Sequence, residues 1–115
     1  MSVTIYHNPR CSKSRQTLSL IEDAGQQADI VLYTKTAPTQ AEIKDLLKKL
    51  GFDDPRALMR KGEAIYKELG LKDENSPEAL IAAMAAHPIL IERPIVVRGE
   101  KAVLGRPPEA VKTLL

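Results

Sequence analysis

The stretch "VTIYHNPRCSKSR", residues 3–15, changes character twice. Val3 to Tyr6 is short and β-branched, as a buried strand is. His7-Asn8-Pro9 reads as a turn. From Ser12 to Ala24 the pattern becomes helical, with Leu18, Ile21 and Ala24 near one face and Gly25 as a C-terminal stop. "DIVLY", Asp29 to Tyr33, reads as a second strand. Strand, helix and strand within about thirty residues is the size of a right-handed βαβ unit.

Working outward, the middle of the chain is helical. Thr39 and Glu42 form a T-x-x-E capping box, and Ile43, Leu46, Leu47 and Leu50 make a core-facing stripe that stops at Gly51. Asp54-Pro55 marks a second start, "GEAIYKELG" a short helix closed by Gly70, and Ser76-Pro77 a last helix ending before Pro88. "PIVV" and "KAVLG" then read as two strands joined at "RGE", a hairpin, and Pro108 opens a short C-terminal helix. The order β-α-β, helices, β-β-α defines an α/β chain compatible with a thioredoxin-like fold. Residues 1–115 then form one domain carrying a helical insertion at about 39–90, although periodicity alone does not single that fold out.

Composition bounds the function. At 115 residues, 43% apolar and 28% charged, the chain has the make-up of a globular protein. It holds no Trp, one Phe and three Tyr, so its core is aliphatic and stacking of nucleic-acid bases is not expected. A net charge of +2 is too small to argue for nucleic acid or membrane. No run approaches membrane-spanning length, the N-terminus lacks a signal-peptide apolar region, and one cysteine closes no internal disulfide. The expectation is a soluble cytoplasmic monomer without a nucleic-acid or membrane partner.

The lone Cys11 could be a small buried apolar residue. Its surroundings weigh against that. It sits where a turn meets a helix, next to the positive end of the helix dipole and to backbone N–H groups that lack helical partners. Arg10, Lys13 and Arg15 flank it and His7 lies upstream. Each favours the thiolate, which is the nucleophile. The pattern is C-x-x-S, so Cys11 has no resolving thiol and any disulfide must involve another molecule, such as glutathione. The Ser14 hydroxyl has two roles open to it: donating to the thiolate or to an anion, or satisfying local backbone groups. A phosphatase-type C-x5-R loop is excluded by counting, because the sixth residue after Cys11 is Thr17. No metal-ligand cluster and no nucleotide loop is present, so a redox reaction here needs no bound cofactor and draws electrons from an external thiol.

"IYHNPRCSKSRQTL", "LMRKGEAIYKELGL", "HPILIERPIVV" and "GRPPE" together resemble the glutaredoxin-dependent arsenate reductase family, the ArsC type. The resemblance runs over almost the whole chain in the right order. It implies a thioredoxin-like fold with a helical insertion, and reduction of arsenate to arsenite with glutathione as co-substrate and glutaredoxin as partner. The family's nucleophile falls on Cys11. Its anion-binding arginines fall on Arg60, Arg93 and Arg106, the histidine that helps depress the thiol pKa on His7, and the serine and arginine that close the loop on Ser14 and Arg15. Three arginines suit a tetrahedral oxyanion, because each offers a permanently charged fork of donors. The resemblance also implies a cis bond at Arg93-Pro94.

"CSKSR" is less glycine-rich than the loop of that family's arsenate reductases, and Lys13 adds charge and bulk close to the anion site, so the sequence looks closer to a housekeeping branch of the family. Two other functions remain open. One is a glutathione-linked reductase of protein mixed disulfides. The other is an Spx-type regulator that binds RNA polymerase, which Ser14 disfavours by replacing the second cysteine of the C-x-x-C switch.

Overall fold

The computed structural model describes residues 3–33 and 35–115. The chain divides into two compact units, one made of residues 1–36 and 93–115 and the other of residues 37–92.

The first unit is built on strand β1 (Val3–Tyr6), whose alternation buries Val3 and Ile5. β1 pairs in parallel with β2 (Ala28–Val31), Val3 opposite Ala28 and Tyr6 opposite Val31. On its other side it runs antiparallel to β3 (Ile95–Arg98), which pairs as a hairpin with β4 (Lys101–Leu104). The strand order is β2-β1-β3-β4. Helix α1 (Ser12–Asp23) makes the crossover between the parallel strands, and the chain ends in a 3-10 segment, Pro108–Leu114. Val3, Ile5, Ile21, Val96 and Val111 close a common core. Burying each such side chain is worth about 1.5–3 kcal/mol. This is the thioredoxin-like arrangement.

Three local expectations need correction. The buried face of α1 is Ser14, Thr17 and Ile21, while Leu18 is half-buried and Ala24 is exposed. Polar residues tolerate that burial because they are bonded: Thr17 Oγ1 donates to the Lys13 carbonyl at 2.8 Å. The second strand is Ala28–Val31 rather than 29–33, since its ladder ends where β1 ends, with His7 N–H donating to the Val31 carbonyl at 2.9 Å. Tyr33 therefore leaves the sheet and is buried in a turn. The C-terminal helix is 3-10, with Pro107 and Pro108 at its start.

The second unit contains α2 (Gln40–Leu50), α3 (Ala64–Glu68) and α4 (Pro77–Ala86). Thr39 and Glu42 form the reciprocal capping box on α2, a motif worth about 1 kcal/mol, and Gly51 ends the helix at φ +75°. α2 packs with α4. Ile43, Leu46 and Leu47 are buried on the first and Leu80, Ile81 and Met84 on the second. Short 3-10 segments lie at Pro55–Leu58, Leu71–Asp73 and Pro88–Leu90. An isolated bridge between Met59 and Ile91 joins the two ends of this unit's C-terminal half. It is flanked by Arg60 N–H donating to Leu90 O (2.6 Å) and Glu92 N–H to Leu58 O (2.7 Å). Among the described residues, no helix is long and apolar enough to cross a membrane.

Candidate active site

The turn that follows β1 is tied by its own backbone and side chains. Cys11 N–H donates to Asn8 O and Arg10 N–H to Asn8 Oδ1, both at 3.0 Å. Cys11 then occupies the N-cap of α1 with extended backbone, φ −92° and ψ 121°. Its carbonyl already accepts from Arg15 N–H, so the helix begins immediately after it. The thiol is partly exposed beside the first-turn N–H groups, which have no intrahelical acceptor.

Ser14 and Arg15 brace this loop. Ser14 is fully buried, and its hydroxyl accepts from Asn8 N–H at 3.1 Å and lies 2.6 Å from His7 Nδ1. Of the two roles open to that hydroxyl, this geometry is the one that satisfies local groups. Arg15 Nη1 donates to the Pro9 carbonyl at 2.8 Å. His7 is buried at the end of the strand. Burial, and then the positive charge of Arg15, hold its pKa below the ordinary histidine value of 6.5, which favours neutral imidazole.

Two arginines from the far end of the sequence meet the thiol. Arg106 Nη2 lies 3.8 Å from Cys11 Sγ, and Arg106 Nε donates to the Arg93 carbonyl at 2.7 Å. Next to it, Gly105 N–H donates to the Pro94 carbonyl at 2.9 Å. These two bonds tie the segment after β4 to the segment before β3. The peptide bonds Arg93-Pro94 and Arg106-Pro107 are both cis, the first as the family resemblance implied and the second beyond it. The Arg93 guanidinium lies beside Cys11, whose thiolate it favours, and beside the buried Tyr33. Its Nε and Nη1 are buried without a hydrogen-bond partner. Buried guanidinium donors left unpaired are costly, and here they sit beside a nucleophilic sulfur.

These groups decide the state of the thiol. Burial pushes the Cys11 pKa up. The Ser14 backbone N–H, the Arg93 side chain and the Lys13 backbone N–H together outweigh it, and the pKa falls below the ordinary value. His7 meets the Ser14 hydroxyl rather than the sulfur, and the groups that lower the thiol pKa are Ser14, Arg93 and Lys13.

Arg60 belongs to the second unit. Its Nε is 3.1 Å from Glu63 Oε1, and its Nη1 is buried without a hydrogen-bond partner, the same signature as Arg93. Within the first unit the structure brings Arg93 and Arg106 to Cys11, and leaves His7, Ser14 and Arg15 bracing the loop that carries it. Tyr33 was missed by sequence reasoning. It looked like the last residue of a strand, and nothing local marks a tyrosine as the neighbour of an arginine sixty positions later.

Comparison with known proteins adds an independent line. The ArsC family model matches residues 6–114. An arsenate reductase of Haemophilus influenzae is 49% identical over 116 residues, covering 100% of both chains. An uncharacterised Escherichia coli K12 protein is 56% identical over 110 residues, covering 95% of this chain and 92% of that protein. A solved structure described as an arsenate reductase from Vibrio cholerae superposes with a TM-score of 0.97 at 53% identity, covering 100% of this chain and 98% of that one.

Proposed function

The chain belongs to the ArsC family, and from that premise we propose that it reduces arsenate to arsenite through the thiolate of Cys11. The observation that carries this reading is the approach of Arg106 to Cys11 Sγ beside Arg93, whose Nε and Nη1 are buried without protein partners. A thiolate and an arsenate dianion repel each other. Guanidinium groups with unused donors offset that repulsion and hold the oxyanion in place for attack. Arg106, at 3.8 Å from the sulfur, supplies a second positive charge. The family resemblance, and not the geometry, assigns Arg60 as a third arginine on the oxyanion.

In this mechanism Cys11 sulfur attacks arsenic, the As–S bond forms, and an arsenate oxygen leaves as water after taking up protons. Glutathione then attacks the Cys11 sulfur of the adduct, forming a mixed disulfide while the As–S bond breaks with its electron pair left on arsenic. Two electrons pass from the thiols to arsenic, arsenic(V) becomes arsenic(III), and arsenite departs. With Cys11 regenerated through glutaredoxin, the sum is arsenate plus two glutathione giving arsenite, glutathione disulfide and water. C-x-x-S supports the use of an external thiol, since Cys11 is the only cysteine in the chain. The site residues on this reading are Cys11 as nucleophile, Arg60, Arg93 and Arg106 on the oxyanion, and His7, Ser14 and Arg15 as the frame of the loop.

Arsenite production by the purified protein with glutathione and glutaredoxin tests the proposal, with Cys11→Ser run beside it. Turnover by the native protein and none by a folded Cys11→Ser variant is the expected result, because a hydroxyl has no comparable anion population at neutral pH. Equal turnover by the two proteins overturns the mechanism. A glutathionylated protein substrate in the same coupled assay separates arsenate reduction from mixed-disulfide reduction; faster turnover of that substrate makes arsenate the side reaction.

A further inference from the structure

The second unit holds a cleft that the proposed reduction leaves unused. Its volume is about 410 Å³, and it is lined by Arg56, Lys61, Tyr66, Lys67 and Lys72. No acidic side chain among the described residues lines it. Arg56 shapes the cleft. Its N–H donates to Asp54 Oδ1 at 2.9 Å, and its Nη2 donates to the carbonyls of Leu71 (2.8 Å), Lys72 (3.2 Å) and Glu74. Those bonds hold the Leu71–Asp73 segment, and Lys72 with it, to the Pro55–Leu58 segment. The short α3 contributes Tyr66 and Lys67.

The guanidinium is thus committed to backbone, and the lysines are not. Lys61, Lys67 and Lys72 are exposed, and none makes an ion pair among the described residues, whereas Lys44 and Lys49 each hold a carboxylate. Tyr66 is only 6% exposed, yet its hydroxyl has no hydrogen-bond partner among the described residues. A buried phenol needs a polar partner, and a ligand oxygen in the cleft supplies one. Four like charges around one cleft repel one another, which a bound anion relieves. Lysine presents a point charge suited to phosphate, while the one planar fork that would read a carboxylate is already engaged. The lysine stems and the tyrosine ring offer carbon between the charged heads.

We propose that this cleft binds a small organic phosphate, the dianion among Lys61, Lys67, Lys72 and the Tyr66 hydroxyl, and the carbon body against the lysine stems. This site is independent of arsenate reduction.

Phenyl phosphate is the probe, titrated at constant ionic strength while the backbone amide resonances of Lys61, Tyr66, Lys67 and Lys72 are followed. They should shift and saturate. Lys67→Ala combined with Lys72→Ala should weaken binding about tenfold, and since both side chains are exposed the fold should survive, as the unmoved resonances elsewhere would show. Tyr66→Phe should weaken binding about threefold without lowering the melting temperature of the unliganded protein, because the hydroxyl has no protein partner to lose. Arg93→Ala should leave the titration unchanged, which separates this cleft from the oxyanion site at Cys11. Inorganic phosphate lacks the ring and benzoate lacks the dianion, so each should bind at least about threefold more weakly than phenyl phosphate. Shifts that fail to saturate mark a diffuse ion atmosphere and overturn the proposal. It is also overturned by lysine variants that bind as well as the native protein, by loss of the shifts in Arg93→Ala, or by benzoate or inorganic phosphate binding as tightly as the probe.

Discussion

Arg106 Nη2 stands 3.8 Å from Cys11 Sγ although the residues are 95 positions apart in sequence. The approach depends on Arg106 Nε, which donates at 2.7 Å to the carbonyl of Arg93, itself beside the same sulfur. One arginine thus reaches the thiol while gripping the backbone of the other. Both side chains add positive charge beside the sulfur, which favours the thiolate over the thiol.

Replacing either arginine should therefore weaken oxyanion binding, and unequally. Arg93→Ala removes a partly buried, charge-assisted contact of roughly 1.5–3 kcal/mol, so arsenate KM should rise by tenfold or more. Arg106 is exposed, and water screens what it contributes, so Arg106→Ala should cost less. Lys at position 93 should rescue only in part, because a point charge lacks the planar fork. Steady-state kinetics at two salt concentrations checks this: binding should weaken with salt in the native protein and depend less on salt in each Ala variant.

The thiol gives a second prediction. The folded pKa of Cys11 is lower than its unfolded value, since backbone N–H groups and Arg93 outweigh burial. The stabilising contacts of the thiolate are therefore complete above the unfolded pKa and are lost as pH falls through the folded pKa. Activity that needs the thiolate should follow the same curve, rising with pH through the folded value and level above it. Alkylation rate against pH should show a midpoint below the ordinary thiol value, and Arg93→Ala should move that midpoint up. A native midpoint at or above the ordinary value would show an inert, buried thiol.

The elements whose signals are local were legible in the sequence. The Thr39–Glu42 box, the Gly51 stop, the Ser76 cap and the Ile95–Leu104 hairpin each follow from neighbouring residues. So did the site's frame, because a cysteine between a turn and a helix must meet unpaired N–H groups whatever the rest of the chain does. The buried face of α1 was not legible. Apolar periodicity pointed to Leu18 and Ala24, but the chain buries Ser14, whose hydroxyl finds its partners only once the loop from His7 is in place, and Thr17, which bonds the Lys13 carbonyl of its own helix. Tyr33 was hidden for the same reason as Ser14: its neighbour comes from a segment that the sequence places far away.

His7 links pH to stability. Its folded pKa is lowered from 6.5 by burial and by Arg15, so between the unfolded and folded values the unfolded chain binds the proton more readily. Stability is then full above about pH 6.5 and declines as pH falls below it, the reverse of a histidine that gains an acidic partner. Denaturant titrations between about pH 7.5 and about pH 5.5, above the range where carboxylates titrate, should show this decline in the native protein and a smaller one in His7→Gln. Identical slopes would mean that His7 titrates alike in both states.

Gly105 carries the last prediction, and it concerns space rather than backbone freedom. A methyl group there would stand 2.6 Å from Thr17 Oγ1, 3.1 Å from Thr17 Cγ2 and 2.7 Å from Pro94 Cγ. Neither neighbour can yield easily. Thr17 is β-branched, fully buried and bonded to the Lys13 carbonyl, and the Pro94 ring is fixed to its backbone. Gly105→Ala must then push α1 or the Arg93–Pro94 segment outward, at about 1–3 kcal/mol. The same displacement stretches the Gly105–Pro94 bond and pulls Arg106 from the thiol it faces. Lower thermal stability should therefore come with a raised arsenate KM. Thr17→Ala removes both threonine contacts, so Gly105→Ala made in that background should cost measurably less than it does alone. Strictly additive losses would show that the glycine is required for some reason other than its approach to Thr17.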